Sequence, residues 1–187
     1  MKPMRQPPIE NPSWPAGAER LVDAVTIADA LDRQARRLNT LFPPETILSV
    51  VVLMKGGMYP AIELMRRLGR SLTVDYVHAT RYRDTTRGGR IEWRHWPAID
   101  QPARPVLLVD DIFDEGHTMA AVRDRLQAEG VESVTTAVLA LKQHDRGLAR
   151  DWVDDFALEV PDRYVFGCGM DYQGLWRQLD EIWALPS

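Results

Sequence analysis

The hydrophobic positions in the first third of the chain predict a helix, a buried strand and a second helix. Apolar residues recur three and four positions apart over 26–41, the spacing of a helix with one buried face, and two prolines then end the pattern. A T-x-x-D sequence beginning at Thr26 resembles a helix-capping box. Residues 47–54 are almost unbroken in apolar character, which is typical of a strand buried on both faces of a parallel sheet. A helix over about 60–68 follows.

The same two patterns alternate through the rest of the chain. Strands are predicted over 72–76, 106–109 and 134–141, a helix over 118–129, and a last short apolar run over 164–166. Strands that alternate with helices imply right-handed crossovers and a parallel sheet. The expected fold class is therefore α/β, with a mainly parallel twisted sheet flanked by helices on both faces.

Three segments do not follow this alternation. Residues 1–25 contain five prolines by position 15 and are predicted to form an irregular N-terminal arm. Residues 81–94 hold two glycines and many charges, and they exceed the usual length of a connection, so a mobile active-site loop is expected there. Residues 143–155 are polar and without clear periodicity, which leaves a loop or a short helix open.

Composition narrows the class of protein. With 187 residues and 45% hydrophobic content, the chain fits one domain over 1–187. Acidic side chains outnumber basic ones, 27 to 23, so no overall positive field attracts nucleic acid or an anionic membrane. The single cysteine, Cys168, cannot form an internal disulfide, which favours a reducing cytoplasm. The N-terminal prolines are incompatible with a secretory signal, and no run approaches the roughly 18 apolar residues of a membrane helix. We therefore expect a cytoplasmic protein that binds neither membrane nor nucleic acid.

The stretch from 106 to 119 is the most informative part of the sequence, because a buried strand leads through three aspartates, a glutamate, a glycine and a threonine into a helix. Ligands of open α/β sheets bind beyond the carboxyl ends of strands, and the free N–H groups of a helix amino terminus bind anions. A phosphate fits at residues 115–118, where Gly116 lets the backbone approach it and Thr118 adds a hydroxyl. Asp110 and Asp111 have the wrong charge for phosphate, but they suit ribose hydroxyls, directly or through magnesium. A single acid after a strand is usually a helix cap, so it is the whole arrangement that indicates a sugar phosphate.

This stretch resembles the phosphoribosyl pyrophosphate motif of the type I phosphoribosyltransferases: a hydrophobic strand, two acids, two hydrophobics, Asp, a variable residue, Gly, a variable residue and Thr. Further segments resemble the hypoxanthine-guanine branch of that family, and with them the resemblance covers about residues 45–183. It implies the type I phosphoribosyltransferase fold, with a small hood and a mobile lid loop. It also implies transfer of the phosphoribosyl group from 5-phosphoribosyl 1-pyrophosphate to N9 of hypoxanthine or guanine, giving IMP or GMP and pyrophosphate.

The resemblance assigns the acids and the phosphate loop to the phosphoribosyl group. Asp110 and Asp111 would bind the ribose hydroxyls and the Mg²⁺ associated with them. Asp114 would sit by N7 of the purine as general acid or base, since proton transfer at the imidazole ring must accompany the new glycosidic bond. The 5-phosphate would be held by Glu115, Gly116, His117 and Thr118. Asp114 is assigned to the same binding site for ribose and 5-phosphate.

The resemblance also assigns residues to the pyrophosphate. Lys55 and Gly56 would contact it through the backbone, in a family where the peptide before this lysine can be cis. Arg81 and Tyr82 would approach it from the mobile loop, whose closure also excludes the water that would capture a cationic ribose. Arg177 would meet it as it departs.

A last group is assigned to the base. Lys142 would donate to the oxygen at position 6, which selects hypoxanthine or guanine over adenine. Tyr164 would stack on the purine, and the backbone of Val165 would read its edge. Asp171 would hold a second Mg²⁺ beside the base.

Four positions depart from the family's pattern. Arg81 stands where serine is common, Glu115 where threonine is usual, His117 where lysine or arginine is frequent, and Asp110 where glutamate is common. Because a carboxylate beside a phosphate is unfavourable, we expect the Glu115 side chain to point to solvent while its N–H serves the anion. The segment 93–96 matches no motif and is interpreted as an interface or a loop anchor.

Two alternatives stay open. Within the same fold, the substrate could be xanthine or a pyrimidine. In a different functional class, the chain could keep the site and act as an RNA-binding regulator, although its acidic balance offers little affinity for a phosphate backbone. The resemblance further implies a homodimer or homotetramer.

Overall fold

The structure, a computed structural model, describes residues 13–81 and 91–186, which form nine strands and three α-helices. In chain order these are β1 (Glu19–Val22), α1 (Ala24–Leu41), β2 (Leu48–Met54), α2 (Met58–Met65), β3 (Leu72–Arg81), β4 (Ile91–His95), β5 (Val106–Phe113), α3 (His117–Ala128), β6 (Val134–Lys142), β7 (Asp155–Val160), β8 (Val165–Phe166) and β9 (Ile182–Ala184). A 3-10 turn at Arg150–Trp152 precedes β7.

The central feature is a six-stranded sheet with the order β4-β3-β2-β5-β6-β7. All neighbouring strands in it are parallel except β4, which runs antiparallel to β3. From β2 the chain moves through α2 to β3 on one side, whereas from β5 it moves through α3 to β6 on the other. The direction of winding therefore reverses between β2 and β5, and a crevice for a ligand opens at such a switch point.

Helices cover both faces of this sheet. The helical stripe of α1 buries Ile27, Leu31 and Leu38 against one face, in a cluster that also contains Leu64 of α2. On the other face, α3 buries Val122 and Leu126. Full burial of such a side chain contributes about 1.5–3 kcal/mol. The expected α/β class with helices on both faces is confirmed.

A second, antiparallel sheet with the order β1-β9-β8 forms the small hood. The predicted apolar run at 164–166 contributes β8 to this sheet and not to the parallel one. Trp14 packs edge-on against three aromatic rings of the hood, with centroids 5.4, 5.0 and 4.9 Å away at Phe166, Trp176 and Trp183. These rings hold the amino-terminal segment against the carboxyl-terminal one.

The prediction of an irregular arm over residues 1–25 is wrong for its described final part. β1 pairs with β9, and α1 begins at Ala24, two residues before the predicted start at Thr26. The cap is Asp23, whose carboxylate accepts a hydrogen bond of 2.8 Å from the N–H of Thr26. The T-x-x-D pattern at Thr26 thus lies inside the helix and not at its cap.

The described ends of the predicted loop at 81–94 belong to strands. Arg81 is the last residue of β3, and Ile91–His95 forms strand β4. Trp93 and Trp96 meet edge-on with centroids 5.1 Å apart, and the guanidinium of Arg125 lies 5.0 and 4.0 Å from their ring centres. The indole N–H of Trp96 donates to Glu129 at 2.7 Å. The two tryptophans of the segment 93–96 therefore attach β4 to the end of α3, which agrees with the interpretation as an anchor.

One strand is longer than predicted, and another was not predicted. β5 continues to Phe113, so Asp110 and Asp111 belong to the strand and do not follow it. The polar segment 143–155 leads into β7, an edge strand that the sequence pattern did not reveal because only its two end residues, Asp155 and Val160, are buried. Within the described residues, no helix is long and apolar enough to cross a bilayer.

Candidate active site

The site is built where β2 and β5 end side by side, at the switch point of the sheet. After β2 the chain turns sharply: the Met54–Lys55 peptide bond is cis, and the N–H of Gly57 donates to the carbonyl of Leu53 at 2.9 Å. This turn leaves the Lys55 side chain exposed and buries Gly56.

Two glycines let the backbone approach the Asp111 carboxylate closely. A Cβ on Gly56 would lie 1.9 Å from Asp111 Oδ2. Gly169, with φ +104°, stacks on the same turn, and a Cβ there would lie 2.1 Å from the carbonyl oxygen of Gly56. Any side chain at either position would displace the turn after β2 from Asp111.

Asp110 and Asp111 form a pair of neighbouring carboxylates, of which Asp111 is buried and Asp110 partly buried. Asp110 Oδ1 accepts from the N–H of Asp111, and Asp111 Oδ1 from the N–H of Ile112, both at 2.8 Å. Burial raises the pKa of Asp110 well above its usual range, and the neighbouring charge of Asp111 raises it further. Burial also raises the pKa of Asp111, although hydrogen bonds and Arg177 oppose this. Such a pair favours a bound cation.

Arg177 connects this pair to Asp171. Its Nη1 donates to the carbonyl of Gly169 at 2.6 Å and lies 3.9 Å from Asp111 Oδ2, while Nη2 donates to Asp171 Oδ1. The other oxygen of Asp171 accepts from the N–H of Gly174 at 2.7 Å. The hydroxyl of Tyr164 donates to the Asp171 carbonyl at 2.9 Å. Both carboxylate oxygens of Asp171 are therefore already engaged.

The expected phosphate loop lies at the start of α3. Gly116 has φ +76°, and a Cβ there would lie 2.3 Å from the Phe113 ring, so this turn requires glycine. The Glu115 side chain is 48% exposed, and its Oε2 lies 3.9 Å from His117 Nε2. A cavity of about 290 Å³ opens here, lined by Asp110, Ile112, Phe113, Asp114, Glu115, Gly116, His117, Thr118, Met119 and Arg146.

Asp114 is held from two sides at the rim of this cavity. Lys142 Nζ donates to its Oδ2 at 2.7 Å, and Nε2 of His144 lies 2.6 Å from its Oδ1. Burial acts to raise the pKa of Asp114, but the hydrogen bonds from Lys142 and His144 outweigh it and lower the pKa below the usual range. Asp114 is thus an ionised carboxylate.

His144 and Arg146 also lie at the site, although no sequence motif assigned them a role. Both follow β6, in the segment 143–149, which packs on the phosphate loop: the N–H of Leu148 donates to the Glu115 carbonyl at 3.0 Å. A Cβ on Gly147 would lie 2.4 Å from that same oxygen. Arg146 lines the cavity while its guanidinium bonds to Asp162 at 2.5 and 2.6 Å. The sequence of a polar segment after a strand does not reveal that the segment packs on the phosphate loop. Only its position, directly after the predicted site residue Lys142, could have indicated this.

The remaining predicted site residues are those assigned to the purine ring and to the mobile loop. Tyr164 precedes β8 with its ring half exposed and edge-on to Tyr172, 6.0 Å between centroids. Val165 lies in β8 with a buried side chain. Arg81 is the last residue of β3, and Tyr82 lies outside the described residues.

The side chains present at the site show whether the predicted ligands suit a metal ion. Over residues 13–81 and 91–186, no group of three or more His, Cys, Asp and Glu side chains is gathered as a metal cage. Asp110 and Asp111 supply adjacent carboxylate oxygens, the donor type that Mg²⁺ prefers, and this ion commonly takes its other ligands from water and substrate oxygens. The residues therefore fit a Mg²⁺ ion that arrives with a phosphorylated substrate.

Comparisons with known proteins show the family to which the chain is similar. A family model described as "Phosphoribosyl transferase domain" matches residues 17–173. A hypoxanthine-guanine phosphoribosyltransferase from Aquifex aeolicus is 30% identical over 155 residues, which is 82% of this chain and 86% of that protein. One from Staphylococcus epidermidis is 27% identical, covering 75% of this chain and 78% of that protein. The crystal structure of a hypoxanthine phosphoribosyltransferase from Staphylococcus aureus shares the fold, with a TM-score of 0.81 at 23% identity over 90% of this chain and 91% of that one.

Proposed function

This chain belongs to the phosphoribosyl transferase domain family, and we propose that it is a purine salvage enzyme that makes IMP or GMP from hypoxanthine or guanine. It transfers the phosphoribosyl group of 5-phosphoribosyl 1-pyrophosphate to N9 of the base and releases pyrophosphate. The observation that carries this proposal is the contact between Lys142 and Asp114 at the rim of the phosphate cavity. It puts a donor for a 6-oxo group and a carboxylate for N7 side by side, next to the place for the ribose phosphate.

The donor side of the reaction follows from charge. Breaking the anomeric bond develops positive charge on the ribose and negative charge on pyrophosphate. In our proposal the start of α3 holds the 5-phosphate through the N–H groups of 115–118, with Thr118 adding its hydroxyl. Asp110 and Asp111 lie on the ribose hydroxyls, and the backbone at Lys55 and Gly56 receives the pyrophosphate.

Magnesium belongs to the proposal. Asp110 and Asp111 would hold one Mg²⁺ with the donor, and Asp171 would hold a second. A bound Mg²⁺ offsets the charge that builds on the leaving oxygens. Since Asp171 is now bonded to Arg177, we propose that this guanidinium turns towards the departing pyrophosphate. Contacts of Arg81 and Tyr82 with the pyrophosphate also belong to the proposal.

On the base side, Lys142 moves from Asp114 to the oxygen at position 6. A lysine can donate but cannot accept, so it favours a carbonyl oxygen over the amino group of adenine. The Asp114 oxygen that Lys142 leaves becomes available for the proton at N7. Tyr164 stacks on the ring, and the backbone of Val165 reads its edge.

The setting of the enzyme is also a proposal. We propose that 1–187 act as one domain, which is supported by a hydrophobic cluster that joins α1 to Val165 of β8 and Ile182 of β9. We further propose a cytoplasmic homodimer or homotetramer. Support for self-association comes from exposed apolar side chains on α2 and β3: Met58, Ile62, Val74 and Tyr76. Light scattering during size-exclusion chromatography would give the mass, and a monomer at micromolar concentration would contradict this part.

The alternatives are less favoured. A pyrimidine has no N7 for Asp114 to serve, and xanthine, a 6-oxopurine, is distinguished only by assay. An RNA-binding regulator would need a basic surface, whereas the chain carries a formal net charge of -4.

The test is an absorbance assay of purine and pyrimidine bases with the donor and Mg²⁺. We expect turnover of hypoxanthine or guanine and none of uracil. Asp114→Asn keeps the size of the side chain but cannot take up a proton, so kcat should fall about 10²-fold or more while IMP still binds. Wild-type protein that releases no pyrophosphate with any 6-oxopurine would refute the proposal.

A further inference from the structure

We propose that His144 is a positioning residue for the transfer reaction: it holds Asp114 Oδ1 throughout, so that Oδ2 alone passes from Lys142 to N7 of the base. The inference rests on the function proposed above and adds a residue to it. The sequence motifs gave His144 no role.

The first observation is burial. The His144 side chain is only 5% exposed, and its Nε2 lies 2.6 Å from Asp114 Oδ1. Lys142 is bonded to the other oxygen, Oδ2, at 2.7 Å. The two oxygens of the carboxylate therefore have different partners, of which Lys142 is the one required elsewhere during the reaction.

The second observation settles which nitrogen of His144 carries the proton. The backbone N–H of Arg146 points to Nδ1 of the ring at 3.1 Å. A backbone N–H can only donate, so Nδ1 accepts, and the proton of the neutral ring is on Nε2. His144 therefore donates to Asp114, in a hydrogen bond that the charge of the carboxylate strengthens.

The third observation is that the segment carrying the His144 ring is itself anchored to the phosphate loop. Gly147 and Leu148 fit against the backbone of Glu115, so the turn that carries His144 is attached to the phosphate loop. When Lys142 leaves for the base, the carboxylate would be free to rotate if nothing else held it. His144 keeps it oriented, and a base must meet the proton it removes with correct geometry.

The experiment compares two unbranched replacements of similar length. His144→Gln places an amide N–H where Nε2 stood, whereas His144→Met offers no donor. We expect His144→Met to lower kcat with hypoxanthine about ten-fold or more, as for loss of a hydrogen bond to a charged group, with little change in KM for the donor. His144→Gln should recover most of this loss.

A double-mutant cycle separates positioning from a merely structural role. If His144 acts through Asp114, His144→Met should change kcat less than about two-fold in an Asp114→Asn background. Equal losses in the Gln and Met variants, a rise in donor KM as large as the fall in kcat, or full additivity with Asp114→Asn would each overturn the proposal.

A measurement on the wild-type protein covers the case in which His144→Met does not fold, and it does not depend on turnover. In ¹⁵N-histidine-labelled protein at neutral pH, the His144 resonances, assigned against His144→Gln, should show Nε2 protonated and Nδ1 unprotonated. A proton on Nδ1 would overturn the inference. Because this result is independent of any reaction, it distinguishes failure of the His144 hypothesis from failure of the proposed function.

Discussion

Replacing Gly169 by alanine tests how tightly the site is assembled around Asp111. Gly169 has φ +104°, a conformation that costs a residue with a side chain about 1–2 kcal/mol. The new Cβ would also lie 2.1 Å from the Gly56 carbonyl oxygen and 3.2 Å from Asp111 Cβ. The first distance is far inside contact, so the turn after β2 must move, and overpacking of this kind costs about 1–3 kcal/mol more.

The sum is about 2–5 kcal/mol of destabilisation for Gly169→Ala, measured as the free energy of unfolding in urea. Two other glycines separate the contributions. Gly174 has φ +82° with nothing within 4 Å of an added Cβ, so Gly174→Ala should show the conformational cost alone, about 1–2 kcal/mol. Gly69 has neither a positive φ nor a close neighbour, and Gly69→Ala should be nearly neutral.

The same substitution should weaken binding of the donor if the proposal is correct, because the displaced turn carries Lys55 and Gly56, the proposed pyrophosphate contacts. KM for the donor should rise in Gly169→Ala and stay near the wild-type value in Gly69→Ala, in steady-state assays with saturating hypoxanthine. If Gly169→Ala proves no less stable than Gly174→Ala and keeps the wild-type KM, the close approach of Gly169 to Gly56 does not shape the site.

Three further predictions concern charges around the sheet. Lys142→Met removes the proposed donor to the 6-oxo group, so kcat/KM for hypoxanthine relative to adenine should fall about 10–100-fold in steady-state assays, and an unchanged ratio would contradict the role. Arg37 donates two hydrogen bonds, at 2.8 and 2.7 Å, to Asp155, whose side chain is 8% exposed. Arg37→Met leaves that carboxylate unpaired and should cost about 1–3 kcal/mol in urea unfolding, whereas wild-type stability would show that water replaces the pair. Finally, the hydrogen bonds from Lys142 and His144 outweigh burial and lower the pKa of Asp114, so its ionised form stabilises the fold above about pH 4 and this contribution is lost as the pH falls through the lowered pKa. The difference in urea midpoint between wild type and Asp114→Asn should therefore shrink from about pH 6 to pH 3, and a constant difference would contradict the shift.

The sequence by itself determined the class of fold and predicted one part of the candidate site, because both depend on local patterns. Continuous apolar runs such as 47–54 are typical of strands buried on both faces, and helical periodicity between such runs implies a parallel sheet with helices on both faces. The acids, the glycine and the threonine of the stretch 106–118 lie within nine consecutive residues, 110–118. They are therefore close together in any fold of the chain. Asp110, Asp111 and the start of α3 were therefore predictable.

The structure alone decided which distant segments meet these residues. β1 pairs with β9 across the length of the chain, and neither strand has a pattern long enough to reveal it. Gly169 is recognisable as a site residue only when it is seen against Gly56. His144 belongs to a polar segment without periodicity, and it becomes part of the site because β6 lies beside β5 in the sheet, which brings the chain after Lys142 to Asp114. Local sequence specifies each helix and strand. The order of the strands in the sheet then specifies which strand ends lie next to one another at the site.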